Sequence, residues 1–187
     1  MPAVDPPVLP TRVYAPGSKN AIADAGLILE VVRATAAWQL ERDVPAVVKP
    51  IRELIWFVWE QPRLVELSRK YEVPLIRSKY PSWVPWSPAA RRVYKSDPTA
   101  RLVIEHVYPS SRLVRALLER PPANPATLVK KLTTLLNYAI LTPEDNQKVT
   151  RAGYGNKLVE GSNDPWDRYR ESGLRPERFK PLRSLDV

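Results

Sequence analysis

Proline is the residue that most limits what this chain can become: 21 of its 187 residues are proline, against 6 glycines. A proline ring fixes φ and removes a backbone donor, so it suits a turn, a strand edge or the first turn of a helix and breaks a helix interior. Five prolines fall within the first 16 residues, which predicts an extended arm over residues 1–17. Four more lie between residues 73 and 95, in "VPLIRSKYPSWVPWSPAARRVYK". No apolar period is sustained there, so it reads as an ordered loop until Ser87-Pro88 supplies the cap and first turn of a short helix.

Between these breaks the apolar residues recur at helical spacing. Ile22, Ala25, Leu29, Val32, Ala36 and Leu40 are three or four apart behind a capping Ser18, which predicts a helix. Pro45 opens a second segment, Pro50 can restart it, and its stripe is Ile51, Leu54, Ile55, Val58 and Trp59. A third helix is expected from Pro62, and further helices in "SSRLVRALLER" and "NPATLVKKLTTLLNY". Thr142-Pro143 caps another that Gly153 should stop, and "NDPWDRYRESG" reads as a short capped helix with Asp164 at the cap and Asp167 in the first turn. The run after Arg101 fits a strand or a helix, and "AILT" is short enough for a strand. The expected class is therefore α+β, predominantly α-helical, with at most a small β element near residues 101–108 and 138–142. The expected organisation is the arm, a main domain over residues 18–160 and an extension over 161–187 packed on it.

The chain is long enough for one sizeable core, and its six tryptophans argue against wholesale disorder. It has no cysteine, which excludes disulfides and thiolate zinc sites, and one histidine, which excludes any site needing two imidazoles. The N-terminal residues lack a basic start followed by an apolar core, and no apolar stretch approaches the roughly 20 residues that span a bilayer. A cytoplasmic protein with no membrane partner is expected. A net charge of +9 and a pI near 9.9 favour an anionic partner: DNA, RNA or an acidic protein surface.

The single histidine stands in "RLVIEHVYP", between Glu105 and a Tyr-Pro. A carboxylate beside an imidazole supplies a hard-metal ligand and a base that titrates near neutrality. Neighbours on a strand face opposite ways, so both serve one site only at a strand end, which Pro109 would provide. Alternatively His106 is a half-buried structural residue bonded to a backbone carbonyl, with Glu105 paired to Arg101.

"EHVYP" resembles the first motif of HNH (ββα-metal) nucleases, and "EDNQK" with "GYGNK" resembles the later asparagine and final ligand motifs. The resemblance covers residues 105–160. It implies a metal-dependent phosphodiesterase in which Glu105 and Asn156 bind Mg2+ or Mn2+, His106 activates water and Asn146 positions His106. Arg101 and His106 also resemble the R-x4-H motif of HEPN ribonucleases, helical proteins that cleave RNA without metal. The remaining reading is a non-catalytic binding or inhibitor module. No Gly-rich phosphate loop, nucleophile elbow or kinase signature is present, so neither a nucleotide nor an organic cofactor is expected.

Residues 69–95 carry seven basic side chains against one acid, Glu72. Aromatic residues are interleaved among them, a mixture suited to phosphate contact and base stacking. Arg77, Lys79, Trp83, Trp86, Arg91, Arg92 and Lys95 are the expected nucleic-acid contacts. The bland alternative is that the two tryptophans pack against proline rings in the interior.

Overall fold

The computed structural model describes residues 20–39, 47–70, 72, 75–76 and 79–182. The expected arm, the Ser18 cap, the Pro45 start and Arg77 lie outside the described residues.

The structure is predominantly helical, with two small antiparallel sheets, as the apolar periods predict. Helix α1 (Ala21–Gln39) is followed by α2 (Val48–Ile55), a π-helical turn at Trp56–Glu60 and α3 (Gln61–Lys70). Pro50 sits inside the first turn of α2, where its missing donor costs no helical bond. The third helix begins at Gln61, one residue before the expected Pro62, and follows the π turn without a break, so that the rod deforms around the proline. With no N–H at position 62 the carbonyl four residues back, that of Val58, loses its donor. The Arg63 guanidinium supplies one, reaching Val58 O at 3.3 Å and Trp59 O at 2.9 Å. The N–H of Gln61 reaches back five residues to Trp56 O, which makes the turn π-helical. The wider turn brings Trp59 and Glu60, consecutive residues, both into the interior, and leaves Phe57 outside.

Strands β1 (Leu75–Ile76) and β2 (Tyr80–Pro81) form a short hairpin ahead of α4 (Pro88–Ser96). Ser87 caps α4 as expected, its Oγ accepting from Ala90 N at 3.1 Å and donating to Asp145 Oδ2 at 2.8 Å. The run after Arg101 is a strand, β3 (Val103–His106), paired antiparallel with β4 (Tyr138–Leu141) in the register Val103–Leu141 to His106–Tyr138. Helices α5 (Ser110–Glu119) and α6 (Pro125–Leu135) fill the connection, and α7 (Pro143–Arg151) and the short α8 (Asp167–Arg170) follow.

The β3–β4 pair divides the core. Tyr138 and Ile140 pack on one side with α1, the α2–α3 rod, α5 and α6. Ala139 and Leu141 alternate to the other side and meet Val107, Val149 of α7, Tyr169 and Phe179. Beyond β4, Ile140 exchanges backbone bonds with Pro85 and Ser87 at 2.9 Å each, and Trp86 does so with Lys180 at 3.0 and 3.1 Å. The segment over residues 161–182 is thereby built into the core, with Leu182 joining the larger cluster.

Candidate functional site

His106 closes β3 on the side of the sheet that faces the α2–α3 rod. Its Nε2 donates to Glu60 Oε2 at 2.8 Å, and Tyr138, its cross-strand partner, donates from its hydroxyl to the same oxygen. The His106 and Tyr138 rings meet edge-on at 5.0 Å. Glu60 is 1% exposed, and it reaches this position because the π turn places it inside. A carboxylate this deep requires donors for its oxygen, and the imidazole and the phenol supply them.

Burial alone would lower the pKa of His106, but the charge of Glu60 and its hydrogen bond, helped by Glu105, outweigh burial and the opposing charge of Arg52, so the pKa is raised. The imidazolium is the form this site favours. The side chain keeps 19% of its surface open. Two cavities meet at it. The larger, about 540 Å3, is lined by Lys49, Arg52, Glu53, Trp56, Phe57, Glu60, His106 and Ser110. The smaller, about 290 Å3, brings in Glu105, Pro109, Gly155 and Asn156.

Glu105 points to the opposite side of the sheet, as adjacent strand residues must. There it meets the guanidinium of Arg168, a side chain with no exposure at all, whose Nη2 bonds Glu105 Oε1. Arg168 also donates to the carbonyls of His106 at 3.1 Å, Val107 at 3.4 Å and Gly155 at 3.4 Å. One buried cation thus ties the end of β3 to the 154–156 segment. That segment leaves α7 through Gly153, whose φ of +87° lets Tyr154 N close back on Val149 O at 3.0 Å.

The four residues of the HNH resemblance are brought together only in part. Glu105, His106 and Asn156 line the smaller cavity, at the strand end where Pro109 turns the chain. Asn156 Oδ1 accepts from Ser111 Oγ at 3.0 Å. Asn146 lines neither cavity, and its helix packs through Val149 on the sheet face that His106 turns away from. Among the described residues no group of three or more His, Asp or Glu side chains could hold a metal ion. For the HEPN resemblance, His106 lies on a strand, and Arg101 is exposed and outside both cavities. The structural alternative also differs in its partners: His106 bonds a carboxylate, not a carbonyl, and Glu105 pairs with Arg168, not Arg101.

The basic aromatic segment divides by residue type. Trp86 is fully buried, its Nε1 donates to Pro81 O at 2.9 Å, and Tyr80 and Tyr94 cover it edge-on at 6.4 and 5.6 Å. Trp83 is 4% exposed. Neither offers a ring face to a base, so the expectation that they stack on one is corrected in favour of core packing. Lys79, Arg92 and Lys95 are exposed and Arg91 is half-buried; Lys79 Nζ lies 4.7 Å from the centre of the Tyr80 ring.

Sequence reading missed Glu60, Arg52, Tyr138 and Arg168. Glu60 carried a signal: an acid amid Ile55, Val58 and Trp59, two residues before a proline that must disturb the helix. Arg168 carried none, since "DRYR" reads as a solvated face. No family model, curated protein or solved structure matches the chain.

Proposed function

We propose that this protein binds nucleic acid at the His106 cavity and cleaves its phosphodiester backbone with the imidazolium of His106 as proton donor, without drawing on a metal. The observation that carries this reading is the Glu60–His106 contact at the meeting point of two cavities, with Lys49 and Arg52 on the wall of the larger. Glu60 favours the charged ring and fixes its orientation. Arg52 and Lys49 supply positive charge for the phosphate, and His106, its Nε2 proton held by Glu60, gives its Nδ1 proton to the leaving oxygen. Cleavage of this kind requires a nucleophile carried by the substrate, and the 2′-hydroxyl of RNA is one: its oxygen bonds to phosphorus as the bond from phosphorus to the 5′-oxygen breaks, and its own proton passes to water. The metal-free form is favoured because Glu105, the acid a metal would need, is already engaged by Arg168.

A second reading rests on the smaller cavity, which Glu105, His106 and Asn156 all line. It is the metal-dependent HNH-like nuclease, with Mg2+ or Mn2+ between Glu105 and Asn156. Incubating the purified chain with labelled RNA and DNA, with and without a chelator, separates the two. The first reading expects RNA cleavage that survives chelation and is lost in His106→Gln and in Glu60→Gln. Cleavage abolished by chelation supports the second reading. Binding without any cleavage overturns both and leaves a binding module.

A further inference from the structure

Phe57 is 62% exposed, at the outer edge of the π turn, and it is the member of the exposed large hydrophobic residues Ile22, Leu27, Trp38 and Phe57 that lines a cavity of the site. The other three belong to α1. Its neighbour Trp56 turns its edge to Tyr138 at 6.5 Å and so belongs to the wall behind His106. Among the described residues Phe57 has no such ring partner, because the turn that carries Trp59 and Glu60 inward carries it outward. The cavity it borders is about 540 Å3, within the roughly 300–1,000 Å3 of small-molecule sites. Its wall combines Arg52, a Lys49 that pairs with Glu53 at 3.9 Å, two aromatic rings and the His106–Glu60 pair. Cations beside an open ring suit a nucleotide whose phosphate is neutralised while its base lies flat on the ring.

We infer that the substrate of this site is single-stranded nucleic acid, with the base next to the phosphate at His106 stacked on Phe57. The inference rests on the proposed function for the phosphate and adds the strand class and the residue that selects it. A paired base inside a duplex has no free face to give to Phe57, whereas every unpaired base has one. Selection is therefore by strandedness and tolerant of sequence.

The test compares the full chain with Phe57→Ala and Phe57→Trp, titrated against one labelled oligonucleotide as single-stranded RNA, as single-stranded DNA and annealed to its complement. The expected result is tighter binding of the single strands than of the duplex by the parent. Phe57→Ala should lose roughly tenfold for the single strands and under twofold for the duplex, and Phe57→Trp should restore the loss. Loss on RNA alone marks a site that also reads the 2′-hydroxyl; equal loss on RNA and DNA marks stacking only; both support the inference. Equal loss on single strand and duplex, or no loss at all, overturns it. Phe57 is exposed, so the substitution leaves the fold intact, and an unchanged unfolding midpoint verifies this. His106→Gln separates the inference from the reading beneath it. Strand-selective binding that depends on Phe57 without any cleavage upholds the inference and sinks the catalytic reading. Cleavage that depends on His106 with no strand-selective effect of Phe57→Ala does the reverse.

Discussion

Two regions of this molecule pair aromatic rings with basic side chains, and they use them in opposite ways. Around Trp83 and Trp86 the rings are interior: Trp86 joins the edge of β4 to Lys180 through its backbone and seals the space between Tyr80 and Tyr94. Around Trp56 and Phe57 one ring backs the histidine and the other faces outward beside Lys49 and Arg52. The first region has the stronger composition of a nucleic-acid surface, with its dense run of arginines and lysines. The second is the one that leaves a ring open beside cations. The difference lies in backbone connectivity. The segment over residues 85–87 runs beside β4, whose two faces both carry core residues, and its aromatic ring lies inward. A π turn forced by Pro62 distributes consecutive aromatics to opposite sides of one rod.

The comparison is broken most easily by exchanging the fates of the two rings. Trp86→Ala removes a fully buried indole and its bond to Pro81 O, and should cost about 3–5 kcal/mol of unfolding free energy. Phe57→Ala should change stability by no more than about 0.5 kcal/mol. Urea unfolding of both variants measures the contrast, and a large loss at Phe57 with a small one at Trp86 would reverse the account.

The second largest effect is expected at Arg168. Arg168→Met removes the guanidinium that pairs with Glu105 and frees three carbonyls, and should cost about 3 kcal/mol, near the lower end for a broken buried pair because Glu105 keeps 20% of its side-chain surface open. Glu105→Gln added to Arg168→Met should recover part of that loss, since the unpaired charge is then gone. A double-mutant cycle in urea measures the recovery. Strict additivity of the two substitutions would mean that the pair is not coupled.

Much of the fold was readable from residue patterns. The three-four apolar spacing marks α1, α5 and α6, the Ser87-Pro88 and Thr142-Pro143 caps begin their helices where expected, and Gly153 ends α7. The strand after Arg101 was ambiguous because so short an apolar run has no period to read, and it is settled by pairing with a segment more than thirty residues away. The site was legible only through His106 and, at its margin, Glu105 and Asn156. Its other half is nonlocal: Glu60 and Tyr138 reach His106 from different elements, and no spacing between them encodes the meeting. Asn146 shows the converse error, a motif residue whose helix packs on the wrong side of the sheet for His106.

The two regions also differ in how they should respond to salt. Arg52 lines both cavities, so Arg52→Ala should remove one phosphate contact and flatten the dependence of log affinity on log salt for a single-stranded oligonucleotide by about one unit. Arg92 is exposed on α4, which packs against β4, and Arg92→Ala should leave the slope within error. Titrations at four salt concentrations decide between them. A flattening at Arg92 with none at Arg52 would return the binding surface to the basic segment that composition favours.

The smallest effect is the most specific to the His106 region. A histidine whose folded pKa lies above its ordinary 6.5 binds its proton more tightly in the native state than in the unfolded one. The stabilisation from the Glu60–His106 pair is therefore fully present below about pH 6.5 and disappears as pH rises through the raised native value. Unfolding free energy measured in urea across that window should fall with increasing pH in the parent. His106→Gln retains a donor for Glu60 but cannot titrate, so its stability should stay flat over the same range while lying below the parent on the acid side. No comparable dependence should come from the Trp86 region, where Trp86→Ala lowers stability by the same amount at every pH. A parent that becomes more stable as pH rises would mean that burial of the ring dominates over Glu60, and that His106 stands neutral in the site; it could then act as a base but not as the proton donor on which the proposed cleavage depends.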